Sequence, residues 1–256
     1  MVFSAAFIAV LGVIFGSFLN VVIWRLPRRE SLVRPGSHCP SCNKPIRFYE
    51  NIPIVSFFLL KGRCSSCKTR ISWRYPFVEF LTGLALVLIF LTYGFNSITL
   101  AYSVLALFII PIGFIDWDTG FIPDVLTFPA FIIGVVLIFS LGISNWKEVL
   151  IGSLGAGGIL YLLGFIGRIL MKKESMGMGD VKLLVVLGVY LGLKGALLSV
   201  FFGSLVAMPI ILFSIALKKL KLRDHIHFGP FIAIGTGVYM ICGESIVKGY
   251  LNFIGR

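Results

Sequence analysis

The chain has 256 residues, of which 58% are hydrophobic and only 13% charged, with a mean hydropathy of +0.99. Soluble domains carry roughly 25% charged residues, so a water-soluble globular protein is excluded. The formal charge of +12 sits mainly in loops. It reads first as the positive-inside bias of a membrane protein, then as attraction to anionic headgroups; no basic–aromatic module supports nucleic-acid binding.

Several apolar stretches reach the roughly 20 residues that a helix needs to cross a bilayer. Eight spans are predicted, over 2–24, 75–94, 98–115, 122–142, 148–171, 180–193, 195–217 and 228–247. The expected fold is an all-α polytopic membrane protein in three parts: a first helix (1–24), a loop domain (25–74) and a membrane domain (75–256). The first stretch lacks a basic leader and a small-residue cleavage site and is too long for a signal-peptide core. It is expected to be a mature helix. The sixth stretch is short and interrupted by Gly188 and Gly192.

The loop after the first span holds eleven Lys/Arg residues between Arg25 and Arg74. The positive-inside rule places it in the cytoplasm, together with the turns at 116–124, 172–180 and 218–227, and leaves both termini on the other side. The loop carries two C-x-x-C pairs, Cys39/Cys42 and Cys64/Cys67, with 21 residues between them. Four thiolates from two such knuckles suit a closed, structural zinc site. His38 is expected to be a neighbour and not a ligand. A loop of this size buries little core, so a metal cross-link would supply what the core lacks. The apolar run around Ile52, Phe57, Phe58 and Leu59 is expected to lie against the bilayer or the helices. Cys242, in the last span, is expected to be a buried apolar residue.

Two acidic segments follow. "FIDWDTGFIPD" puts Asp116, Asp118 and Asp124 within nine residues at the end of the third span, and "SMGMGDVKLL" puts Asp180 at the start of the sixth. The topology brings Asp116 and Asp180 to the same membrane face and a similar depth. Carboxylates at membrane depth are costly and mark functional sites. Two brought close would share a proton, one acting as general base on water and the other as acid, which is aspartic-protease chemistry. Asp118 and Asp124 also suit turn or helix-cap positions. Gly177 and Gly179 are expected to give the backbone before Asp180 conformations barred to other residues and to admit a substrate strand. Lys182 is expected to contact headgroups or to bias the pair.

The motifs "GSFLNVVIWRLPR", "CPSC…ENIPIVSFFLLKGRCSSC…ISWRYPFVE", "DWDTGFIPD" and "GMGDVKL" follow one another along nearly the whole chain. In that order the chain resembles the type IV prepilin peptidases, G-x-G-D membrane aspartic proteases of bacteria. The resemblance implies Asp116 and Asp180 as the catalytic pair, acting at the cytoplasmic face of the inner membrane. It implies a prepilin or pseudopilin substrate with a short basic leader. It further implies methylation of the new N terminus with S-adenosylmethionine, an activity associated with the four-cysteine loop. Glu50, Asn51 and Glu79 match family positions as candidates for methyl transfer or substrate binding. A proton- or cation-coupled transporter and a scaffold without chemistry are the alternatives. The acids lie near one interface and not at the midplane, which disfavours a transporter.

Overall fold

The computed structural model describes residues 2–171, 177–217 and 227–254. Helices account for nearly all regular structure: α1 (Val2–Arg25), the short α2 (Val55–Leu59), α3 (Arg74–Tyr93), α4 (Ser97–Thr119), α5 (Asp124–Ser140), α6 (Trp146–Met171), α7 (Met178–Ala216), α8 (Gly229–Val238) and α9 (Glu244–Ile254), with a π-helical turn joining the last two. Among the described residues the only β pairing is two isolated bridges in the loop between α1 and α3.

Among the described residues, six helical segments are long and apolar enough to cross a membrane, and Asp124–Ser140 is a shorter apolar helix. α7, with 39 residues, would run about 58 Å if straight, roughly twice the hydrocarbon thickness of a bilayer. It does not run straight. Gly192 breaks it at φ 67°, ψ 177°, a conformation closed to residues with a Cβ. The two halves of α7, together with α1, α3, α4, α5, α6 and the α8–α9 segment, give the eight spans expected. The turns expected at 172–180 and 218–227 lie largely outside the described residues.

The chain forms two compact units, Met1–Gly94 and Phe95–Arg256. In the first, α1 and α3 pack antiparallel in a single register. A Cβ on Gly12 would lie 2.7 Å from the Gly83 Cα, a Cβ on Gly16 would lie 2.7 Å from the Glu79 Cα, and the Asn20 side chain donates to the Tyr75 carbonyl at 3.0 Å. Lipid supplies no hydrophobic force between helices, so such close backbone approach at small residues carries the association. The outer face of α1, including Phe3, Phe7 and Ile14, is exposed, as a lipid-facing stripe requires.

In the second unit, the first half of α7 runs antiparallel to α6. A Cβ on Gly152 or Gly188 would overlap the carbonyl of the other, and one on Gly157 would strike Val185. The second half runs antiparallel to α8, with Gly203 against Phe231 and Gly235 against Ser199. Because α7 and α8 both start beside Asp116, the chain must reverse at Gly192. Replacing Gly188 by Leu would force α6 and α7 apart. Overpacking of this kind costs about 1–3 kcal/mol, and a lowered thermal midpoint of the detergent-solubilised protein is the expected reading.

Candidate active site

Four helix ends meet at one end of the second unit. α4 arrives there and stops at Gly120, whose φ of 65° ends the helix and whose N–H donates to the Asp116 carbonyl at 2.8 Å. α5, α7 and α8 begin there. Helix ends carry unpaired backbone groups, so their convergence makes a polar patch inside an otherwise apolar bundle.

Asp116, in the last turn of α4, is only 5% exposed. Its Oδ2 accepts the Gly229 N–H of α8 at 2.9 Å. Asp180 lies in the first turn of α7, half-buried, close enough to Asp116 for the two charges to interact. The structure thus brings together the two carboxylates singled out from the sequence. Asp118 is exposed. Asp124 opens α5 after Pro123 and is exposed, as a turn or helix-start residue would be.

One unforeseen contact and one correction arise at this site. Lys182 pairs with Asp124, with Nζ 2.8 and 2.9 Å from the two carboxylate oxygens. That ion pair ties the start of α7 to the start of α5. Gly177 and Gly179 do not use backbone conformations reserved for glycine: Gly177 caps the helix at φ −72°, and neither has a positive φ. At Gly179 space is the reason instead, since a Cβ there would sit 3.0 Å from the Ile122 side chain; at Gly177 a Cβ would meet only ordinary contact, with the Asp180 carboxylate at 3.5 Å.

Two residues that the sequence reading passed over complete the site. Any Cβ at Gly229 would lie 2.6 Å from Asp116 Oδ2, so the donor on that carboxylate must be a glycine. His227 lies against the end of α4, with Nδ1 3.4 Å from the Trp117 carbonyl and its ring over Gly120. The sequence held a signal in "FGP", a glycine and a proline opening a helix at the same membrane face. For Gly229→Ala, the added methyl and the displaced hydrogen bond should cut activity at least 10-fold, since bonds to charged groups contribute about 1.5–3 kcal/mol. Protein yield in membranes should stay near wild type.

The first unit holds a second cluster. Cys39, Cys42, Cys64 and Cys67 each offer a sulfur, and the four sulfurs lie within 4.8 Å of one another; Cys39 and Cys67 are 3.7 Å apart. A tetrahedral zinc with bonds of about 2.3 Å sets its sulfurs roughly 3.8 Å apart, so the set fits. The two knuckles repeat one geometry. The Cys39 carbonyl accepts from Asn43 and the Cys64 carbonyl from Lys68, at 2.8 and 3.1 Å, with φ of 54° and 60° at those two residues. The Thr69 hydroxyl and amide hold the Cys67 thiol down at about 6. At Cys42 the Lys44 amide lowers the thiol pKa, but desolvation and the three neighbouring thiols outweigh it and raise it to about 11. Four thiols this close cannot all ionise without a cation. His38 stays outside the set, its Nδ1 3.0 Å from the Gly36 carbonyl. Cys242 is exposed in the π-helical turn, and not buried as expected.

Two family models match the chain: the Bacterial Peptidase A24 N-terminal domain over residues 10–93 and the Type IV leader peptidase family over residues 103–212. The prepilin leader peptidase/N-methyltransferase of Neisseria gonorrhoeae is 35% identical over 95% of this chain and 92% of its own length. The protein of the same name from Aeromonas hydrophila is 35% identical over 98% and 95%, and that of Pseudomonas aeruginosa 33% over 96% and 92%. The chain belongs to the type IV leader peptidase family. No solved structure matches it. A transporter or a scaffold without chemistry draws no support from these relatives.

In this leader peptidase the remaining candidates, Glu50, Asn51 and Glu79, belong to the first unit. Glu79 is 7% exposed on α3, and its carboxylate accepts the Ile54 N–H at 2.7 Å. Ile54 is held at φ 60°, ψ −53°, costly for a β-branched residue. Glu50 accepts its neighbour Arg47 N–H at 3.2 Å as part of a capping box. Asn51 is exposed and lines a cleft of about 370 Å³ with Ser17, Arg25 and Ser37.

Proposed function

We propose that the chain removes the short basic leader of type IV prepilins or pseudopilins with Asp116 and Asp180 as paired carboxylates, and then N-methylates the new N terminus. The observation that carries the peptidase reading is Asp116 itself: buried, held by the Gly229 amide, and within electrostatic reach of Asp180 where four helix ends meet. Such a pair works with one proton between its members. One carboxylate takes a proton from water as the water attacks the scissile carbonyl. The other donates its proton to the carbonyl oxygen. As the tetrahedral centre collapses, the first carboxyl passes its proton to the leaving nitrogen and the second takes one back from a gem-diol hydroxyl, so the C–N bond breaks to give the leader's carboxyl group and the mature amine. Of the two nearby acids, Asp118 lacks this burial, and Asp124 is committed to Lys182.

Cys39, Cys42, Cys64 and Cys67 would hold a zinc ion that cross-links the two knuckles. S-adenosylmethionine would supply the methyl group, with Glu50, Asn51 and Glu79 assigned to methyl transfer or substrate binding. By role the chain divides into the first helix (1–24), the four-cysteine loop (25–74) and the membrane protease (75–256). The Lys/Arg-rich loop sets the orientation. The active site faces the cytoplasm from the bacterial inner membrane, and both termini lie opposite. The substrate's apolar helix, lying in the lipid, presents its scissile bond at that face.

The test follows a purified prepilin incubated with membranes containing the chain, read by mass with and without the methyl donor. Loss of the leader in both samples, and one added methyl group only with the donor, is expected. An intact leader sinks the peptidase reading, and an unmethylated product sinks the second activity.

A further inference from the structure

Apart from the ligands Cys64 and Cys67 themselves, residues 55–74 form a surface that neither the aspartates nor the metal site uses. α2 presents Val55, Phe58 and Leu59 at i, i+3 and i+4, all exposed, on one side. Phe57 turns inward instead, its ring 4.8 Å from that of Trp73 and its edge over Gly62. Phe58 lies 6.0 Å from the same Trp73 ring. Trp73 immediately precedes the membrane-spanning α3, so this cluster stands where α3 enters the bilayer. Yet Phe58, Leu59 and Trp73 are 58%, 75% and 67% exposed, a contiguous apolar surface of the kind that marks an interaction site.

The charges beside it have one sign. Residues 60–74 contain Lys61, Arg63, Lys68, Arg70 and Arg74 and no acid. Arg63 and Arg70 face each other across an antiparallel bridge, where like charges repel. Among the described residues no ion pair involves Lys61, Arg63, Lys68 or Arg70. An apolar wedge bordered by unneutralised cations, continuous with a spanning helix, matches the chemistry of an anionic phospholipid interface.

We propose that α2, Trp73 and the second knuckle form a membrane-docking face, with Val55, Phe58, Leu59 and Trp73 in the interfacial layer and Lys61, Arg63, Lys68 and Arg70 on lipid phosphates. The loop is then pinned to the bilayer at α2 as well as at α3, which holds the Cys64–Lys68 knuckle at headgroup level. This rests on the membrane-spanning fold and is independent of the roles given to the aspartates.

The test uses the full chain in nanodiscs, with Leu59→Trp as the sole tryptophan (Trp24, Trp73, Trp117 and Trp146 each replaced by Phe). Acyl-brominated phosphatidylglycerol should quench that fluorescence at least twofold, and aqueous acrylamide should quench it little. Adding Arg63→Glu and Arg70→Glu should restore most of the signal. Emission quenched by acrylamide and not by lipid would mean a solvated face, and emission shielded from both a face covered by protein; either overturns the proposal. Should the tryptophan-free background fail to accumulate, hydrogen exchange on the wild-type chain decides. Amides 55–60 should exchange about tenfold more slowly in phosphatidylglycerol than in phosphatidylcholine nanodiscs, and equal rates contradict docking.

Discussion

Stripping zinc from the purified chain is expected to unfold the loop between α1 and α3 and leave the spanning helices in place. The loop has little else to hold it: of its apolar side chains only Cys39 and Phe57 are buried, while Phe48, Val55, Phe58 and Leu59 are exposed. The two knuckles keep their shape through a few turn hydrogen bonds, each contributing about 0.5–1.5 kcal/mol. Structural zinc sites contribute about 10–16 kcal/mol to folding, far more than those bonds. Elemental analysis should therefore find one zinc per chain. Chelation, or Cys39→Ser with Cys64→Ser, should open sites between residues 25 and 74 to limited proteolysis. An unchanged digestion pattern after chelation would show that the cysteines do not organise the loop through a metal.

The largest effect on chemistry is expected at the aspartates. Asp116→Asn keeps the size of the side chain and can still accept the Gly229 N–H, but it can neither take up nor give a proton. Asp180→Asn does the same at the other half of the pair. General acid–base catalysis contributes about 10²–10⁴-fold, and groups that act as one unit lose nearly all of it when either is removed. Each single variant should drop prepilin cleavage by at least about 10³-fold. Asp118→Asn should stay within tenfold of wild type, because its side chain lies outside the buried cluster. These substitutions lie in the second compact unit and the cysteines in the first, so methylation of a pre-cleaved pilin should survive them.

Hydropathy made the spans legible, because the bilayer demands long apolar helices whatever their neighbours. Even the break in α7 left a trace: Gly192 stands where two predicted spans nearly touch, at 193 and 195. The knuckles were legible from cysteine spacing, although their shared geometry at an offset of 25 positions (39 to 64, 42 to 67) needed coordinates. What stayed hidden were contacts between distant parts of the chain. Gly229 reaches Asp116 across 113 positions and Lys182 reaches Asp124 across 58, and no local pattern announces either. The glycines before Asp180 suggest backbone freedom, whereas Gly179 serves close packing against Ile122, and the two uses leave the same letters in a sequence.

The pairing of Asp116 with Asp180 is tested most directly by comparing the two single Asn variants with the double variant, each assayed for prepilin cleavage in membranes at matched protein level. If the carboxylates form one catalytic unit, the double variant is no slower than either single one, since the first substitution already removes the shared chemistry. Wild-type cleavage by either single variant, or a double variant slower by the product of the two single effects, would contradict the pairing.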